Sequence, residues 1–260
     1  MKTREIHEMN IRNLTALWKT MGAVRIADGL YRSPGWPYRL WLESGYGKKG
    51  IKRLLEQVLI SDSDCIFPLW QENESDTMQL EAGLAQAGFR ELFTQTAMFL
   101  ELDATLPEYR NSETNDVITD EASIRAWVRV NECAFGYEID TEVIQRMARH
   151  PDVALFLHRL NGKPVAAAML FFHENMAGVH QMGVLPECRR QGVAKVVMKE
   201  LIRHARAKGG RYCTLQASPS GYGLYKGLGF SESSTFSSFH RPRSSTTIME
   251  AAPVSLLSLD

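Results

Sequence analysis

The sequence predicts an α/β protein in which strands and amphipathic helices alternate around an anion-binding turn. Three observations carry this reading. The stretch Gln181–Ala194, QMGVLPECRRQGVA, takes an apolar strand past Pro186 and two arginines into a helix that opens at Gly192. Apolar residues recur at helical spacing, as in Ile51, Leu54, Leu55, Val58 and Leu59, and again in Val193, Val196, Val197, Leu201 and Ala205. Two apolar runs, VALFLHRL and VAAAMLFFH, flank Asn161-Gly162, a pair suited to a tight hairpin.

In chain order, residues 4–19 read as a helix with Ile6, Met9, Leu14, Leu17 and Trp18 on its apolar side. The run ADGLYRSPGWP is punctuated as turns. Residues 38–43 form a short aromatic strand, with Trp36 and Trp41 as core candidates, and GYGKKG leads into a helix over 51–60. Strands are expected at 64–70 and 93–102, with a helix at 77–87 between them. Residues 107–115, PEYRNSETN, lack apolar anchors and suit a linker. A short strand and a helix with Ile124, Trp127 and Val128 inward follow. A second helix over 140–149 stops before Pro151. After the hairpin come the strand VHQMGV, a helix from Gly192 to Lys208 closed by Gly209-Gly210, a strand at 211–216, a short helix at 221–227 and a final strand, FSSFH. Residues 243–260 are a Ser/Thr-rich tail without period, a composition suited to disorder.

Composition narrows the function classes. The 260 residues include 30 basic and 30 acidic side chains, so no global charge points to nucleic acid or an anionic membrane. Four scattered cysteines form neither a CxxC nor a His-paired spacing, which argues against a zinc site or a disulfide framework and suits a reducing cytoplasm. The N-terminus MKTREIHEMN is charged, unlike a signal peptide, and no apolar run reaches bilayer length.

The chain echoes itself. Gly47-Lys48-Lys49-Gly50-Ile51 before a helix resembles Arg189-Arg190-Gln191-Gly192-Val193, and LAQAGF ending at Phe89 resembles YKGLGF ending at Phe230, at nearly equal separations. Lys52 then stands where Ala194 does and Leu84 where Tyr225 does. A long side chain on the first helical turn blocks close phosphate approach, so the first copy reads as non-catalytic.

RRQGVA, after a strand ending Val-x-Pro-Glu, resembles the Arg/Gln-x-x-Gly-x-Gly/Ala signature of the GNAT acyltransferases. The later ASPSGYGLYKGLGF resembles that family's second signature, and the similarity spans about residues 117–241. The resemblance implies a twisted mixed sheet flanked by helices. With the echo, it implies two tandem GNAT-like domains: a degenerate, non-catalytic one over 1–106, a linker over 107–115 and a catalytic one over 116–242. It further implies acetyl-CoA as cosubstrate, no metal, and an amine-bearing acceptor. Met182, Gly183 and Val184 would meet the pantetheine and the thioester carbonyl. Arg189, Arg190, Gln191, Gly192, Val193 and Ala194 would wrap the pyrophosphate, where free helix N–H groups and small residues admit an anion. Ser218 stands where relatives carry an asparagine that contacts the pantetheine arm. Tyr225 matches the residue that protonates the departing thiolate.

His180, placed two and four residues before Met182 and Val184 and read as sharing their strand face, is the candidate base, with water as the alternative. Phe135, Tyr137 and Glu138 fall where the family shapes its acceptor pocket, and an aromatic pair with a carboxylate suits a cationic amine. Direct transfer in a ternary complex is expected, since no activated nucleophile is visible. Two other readings stay open: a CoA-binding sensor without turnover, and a protein acetyltransferase whose first domain recruits its partner. The acceptor itself, whether small amine, amino acid, antibiotic or protein, is left undetermined.

Overall fold

The computed structural model describes residues 3–43, 56, 65–70, 74–103 and 115–241. The expected helix over 51–60, the GYGKKG turn, the body of the linker and the tail lie outside the described residues. Helix α1 (Thr3–Thr20) leads into a small antiparallel sheet of β1 (Val24–Ala27), β2 (Leu30–Arg32) and β3 (Leu40–Leu42). The sequence reading missed β1, four residues long, just before ADGLYRSPGWP, and β2, three residues long, within that turn-rich run. Next come β4 (Ile66–Trp70), α2 (Glu74–Gln86) and β5 (Arg90–Glu101). The second half supplies β6 (Asn115–Val117), α3 (Glu121–Phe135), α4 (Thr141–Ala148), β7 (Val153–Leu160), β8 (Lys163–His173) and β9 (Met176–Val184). It ends with α5 (Val193–Ala207), β10 (Tyr212–Ala217), α6 (Pro219–Gly227) and β11 (Ser231–His240).

Capping residues set the helix ends near the expected positions. The Asp120 carboxylate accepts from Ser123 N at the start of α3, and Gly136, in the left-handed region at φ 74°, closes it. Asp140 caps α4 in the same way as Asp120 caps α3.

The main sheet has eight strands in the order β4-β11-β5-β10-β9-β8-β7-β6. It is mixed: β9 and β10 run parallel, and the other neighbours are antiparallel. The boundary expected at 107–115 does not divide this sheet, because β5 from the first half sits between β10 and β11 of the second. Under the sequence echo, β4 matches β10 and β5 matches β11. The four-strand run β4-β11-β5-β10 therefore reads the same from either end once matched strands are exchanged. Each half's last strand pairs with the other half's penultimate one.

The turn before each exchanged strand is also built alike. Gly88 and Gly229 take φ 83° and 92°. Phe89 N donates to Leu84 O at 2.9 Å, and Phe230 N donates to Tyr225 O at 3.0 Å.

Two apolar layers cover the sheet. On one face Trp18, Trp41, Trp70 and Trp127 pack together with α1, α3 and α4. The Trp36–Trp41 cluster is thus a core shared by both halves rather than that of a separate first domain. On the other face α5 buries Val193, Val197, Met198, Leu201, Ile202 and Ala205 over β8, β9 and β10. Val196, expected inward, is 40% exposed.

Candidate active site

The candidate site is where β9 and β10 separate. They pair only through Met176–Gly178 and Tyr212–Thr214. Beyond Gly178, the β10-facing edge of β9 runs on unpaired toward Val184. Between His180 and Gly183 the register with β8 slips by one residue, and Gln181 takes φ 50°. This bulge inverts the side-chain alternation. Ala177 and Val179 face α5 before it, and Met182 and Val184 face the same layer after it. His180 and Gly183 face the other side. The expectation that His180 shares a face with Met182 and Val184 is therefore corrected: simple alternation cannot foresee a bulge.

His180 is 8% exposed, and its Nε2 lies 3.1 Å from Asn13 Oδ1 on α1. Burial lowers its pKa from 6.5 to about 3, so it stays neutral in the fold. The neutral form is favoured in the native state and protonation is favoured in the unfolded chain. This contribution to stability is full above pH 6.5 and is lost as pH falls from 6.5 toward 3. Burial lowers the pKa of His158 and His204 too, with the same sign. Urea unfolding measured at one-unit steps from pH 7 to 4 should show stability falling by up to about 1.4 kcal/mol per unit from His180 alone. His180→Gln, which can still bond Asn13, should flatten that slope; an unchanged slope would remove His180 as its source.

Helix α1 clamps both diverging strands with two buried asparagines. Asn13 Nδ2 donates to Phe171 O at 3.1 Å and to Met176 O at 3.5 Å. Asn10 Oδ1 accepts from Gln216 Nε2 at 2.8 Å, and its Nδ2 reaches Leu215 O at 3.5 Å. The sequence reading missed both residues. Their signal was two asparagines at i, i+3 on the apolar side of α1, a place where buried polar groups must find partners.

Beyond the bulge, Gly183 lies against α3. A Cβ there would meet Asn131 Oδ1 at 2.6 Å and Ala134 Cβ at 2.8 Å. The fully buried Asn131 Oδ1 has no hydrogen-bond partner.

The loop after β9 forms a short 3₁₀ turn at Pro186–Cys188 and then opens α5. Arg189 turns inward: its guanidinium donates to Ala134 O at 2.8 Å and to Val184 O at 3.2 Å. It ties the loop to α3 instead of offering that group to an anion. Gln191 donates to Glu187 O at 2.8 Å. Arg190 is exposed, and Gly192 takes φ 81°, a conformation that favours glycine. No side chain caps the first turn of α5, whose leading N–H groups, as in any helix, have no intrahelical acceptor.

Across the gap, Ser218 is the N-cap of α6, with its Oγ accepting from Gly221 N at 3.2 Å. Tyr225 follows on α6, its ring edge-on to Phe230 at 5.8 Å. Burial, with Cys213 nearby, raises its phenol to about 12.

Residues 117–230 match the family model described as "Acetyltransferase (GNAT) family". The chain carries a GNAT acetyltransferase domain.

Solved GNAT structures share the fold over most of the chain's length, first half included. A GCN5-related N-acetyltransferase from Kribbella flavida superposes with TM-score 0.66 at 19% identity, covering 91% of this chain and 95% of that one. One from Sphaerobacter thermophilus gives 0.60 at 16% identity over 82% of this chain and 78% of its own. A GNAT-family protein from Novosphingobium aromaticivorans, titled an acetyltransferase, gives 0.59 at 14% identity over 87% and 97%. Among curated proteins no sequence match was found.

Residues of both halves meet beside the bulge of β9. Phe135 and Tyr137 stack at 5.7 Å, and the Tyr137 hydroxyl donates to Gln181 Oε1 at 3.2 Å. Glu138 is exposed. The charge that acts on Tyr137 is that of Arg39, from the first half. Among the described residues there is no cluster of three or more potential metal ligands, and no helix is long and apolar enough to cross a membrane. A shallow groove of about 290 Å³ lined by Thr119, Glu121, Ile124, Gln145 and Arg149 lies beside α3 and α4, away from this cleft, and carries none of its chemistry.

Proposed function

We propose that the protein is an acetyl-CoA-dependent N-acetyltransferase that moves the acetyl group directly to an amine in a ternary complex. The observation that carries this reading is the parting of β9 and β10 above an uncapped, glycine-led α5. An extended thioester arm fits along the unpaired edge of β9, with its pyrophosphate at the first turn of α5. The anion-facing groups are the backbone N–H groups around Gly192, Val193 and Ala194 together with exposed Arg190. Arg189 holds the loop in place. Ser218 serves as a helix cap beside the arm.

In the transfer step the neutral amine attacks the thioester carbon. Negative charge builds on the carbonyl oxygen beside the free edge of β9 near Met182 and Val184, where a backbone N–H stabilises it. The C–S bond then breaks, and the Tyr225 phenol gives its proton to the thiolate. The attacking nitrogen's proton leaves through water: a histidine held neutral to about pH 3 is too weak a base to take it. The rate should therefore follow the acceptor's own amine ionisation, rising with pH, with no step near 6.5. Such a step in kcat/KM, abolished by His180→Gln, would restore His180 as base.

A further expectation concerns the cradle. A Cβ at Gly192 would meet no protein atom within 4 Å. Gly192→Leu should thus fold, at a cost of about 1 kcal/mol for the left-handed backbone, yet lose at least tenfold in acetyl-CoA affinity by titration calorimetry. Retained affinity would count against phosphate binding at this turn.

The defining experiment titrates acetyl-CoA and follows thiol release with a panel of amines. Tight binding without acceptor-dependent release would favour a CoA sensor. The palindromic strand order and the matched Gly88 and Gly229 turns support descent of the two halves from one duplicated GNAT unit, the first now non-catalytic. Leu84, fully buried at the position matching Tyr225, fits that loss. A cytoplasmic location fits the scattered free cysteines.

A further inference from the structure

The first half brings a cation to the acceptor side of the cleft. Arg39 lies just before β3, and its guanidinium sits 5.7 Å from the centroid of the Trp18 ring on α1. One arm donates to Pro37 O at 2.8 Å. No carboxylate pairs with it among the described residues, whereas Arg25, Arg125, Arg159 and Arg203 each have one. Burial lowers its pKa, and Tyr137 lies close enough for the two groups to act on each other.

Tyr137 in turn bonds Gln181, the residue at the bulge. Tyr137 is thus hydrogen-bonded at the bulge of β9, beside which the thioester is placed, and lies within electrostatic reach of Arg39, which packs on Trp18 of α1. Phe135 and Tyr137 supply the wall.

A guanidinium carries five N–H donors, and among the described residues that of Arg39 makes one hydrogen bond. A partly buried cation without a counter-charge is costly, and a carboxylate accepting two parallel hydrogen bonds relieves that cost with defined geometry. The same charge repels a cationic acceptor, most strongly where water is scarce. Besides the exposed Glu138 next to Tyr137, which the sequence offered to a cationic amine, the aromatic pair thus has an arginine within electrostatic reach.

We propose that Arg39 binds a carboxylate on the acceptor, so that the substrate class is an amine that also carries a carboxylate, as in amino acids. This rests on the acetyl-transfer reading and narrows it. Trp18 orients the guanidinium, and Tyr137 and Gln181 line the path between the carboxylate and the reacting amine.

The test measures thiol release from acetyl-CoA with α-amino acids, β-alanine and 4-aminobutyrate, each beside its carboxamide. The carboxamide of an α-amino acid has the less basic amine, more of it neutral, so bare chemistry favours the carboxamide. A preference for the acid must then come from binding. The expected result is a kcat/KM at least tenfold higher for the acid of the best pair. Arg39→Gln should erase that preference by raising KM for the acid, with kcat and the carboxamide's KM little changed. Arg39→Lys should keep part of it. Carboxamides turned over as well as acids, or a preference that survives Arg39→Gln, would overturn the proposal while leaving acetyl transfer in place. Absence of thiol release with every amine would overturn transfer itself and the proposal with it. Because Arg39 packs on Trp18, each variant's melting is recorded, and the acid-to-carboxamide comparison in the unaltered protein stands without any variant.

Discussion

Tyr225→Phe is expected to lower turnover about 100-fold, within the range typical of a lost general acid, while acetyl-CoA affinity changes less than twofold. The ring is held edge-on by Phe230 at 5.8 Å, and phenylalanine keeps that contact. What is removed is the proton. With the phenol raised to about 12 by burial, Tyr225 is fully protonated at neutral pH and ready to donate. Its pKa also lies above that of a free alkyl thiol, so it is matched to a thiolate still bound in a dry site and more basic than in water. Measured by single-turnover thiol release beside calorimetric binding, unchanged turnover would remove Tyr225 from the mechanism. A parallel loss of affinity would recast it as a binding contact.

The second large effect is on stability. Gly178→Ala should cost about 3 kcal/mol, as overpacking combined with the loss of buried hydrogen bonds. An added Cβ would stand 2.0 Å from Asn13 Oδ1 and 2.5 Å from His180 Nε2. Neither neighbour can yield cheaply: Asn13 also holds Phe171 O and Met176 O, and His180 is buried against α1. The added methyl group therefore pries α1 from β9 at the point where β9 and β10 part. Urea denaturation should show the loss, and Asn13→Ala in the same chain should recover part of it by opening room. Additive losses in the double variant would mean that the methyl group is accommodated elsewhere.

The sequence made much of this architecture legible, because its elements depend on local signals. The helix expected over 140–149 starts behind its cap Asp140, and Asn161-Gly162 turns the β7–β8 hairpin. RRQGVA leads into α5, and YKGLGF spans the end of α6 and the turn before β11, as their sequence context predicts. What it could not supply depends on distant neighbours or on a one-residue slip. The bulge at Gln181 leaves no mark in the apolar pattern, and it moved His180 to the face where α1 seals it. Arg189 looked like an anion ligand because arginine suits that role, yet carbonyls 5 and 55 residues away claim its donors. Arg39 was passed over because its meaning comes from Tyr137, nearly a hundred positions later.

The sheet order also revises how the halves are to be separated. Deleting residues 1–110 to ask what the first half does would pull β5 from between β10 and β11 and strip α1 from β9.

The exchanged strands carry a consequence for biosynthesis. During translation β4 and β5 leave the ribosome well before β11, the strand that lies between and pairs with both. The early half must wait with open edges until nearly the last residues of the sheet are made. Its closure waits on β11, and an aromatic layer that spans both halves, Trp18 and Trp70 against Phe236, is completed only when that final strand arrives.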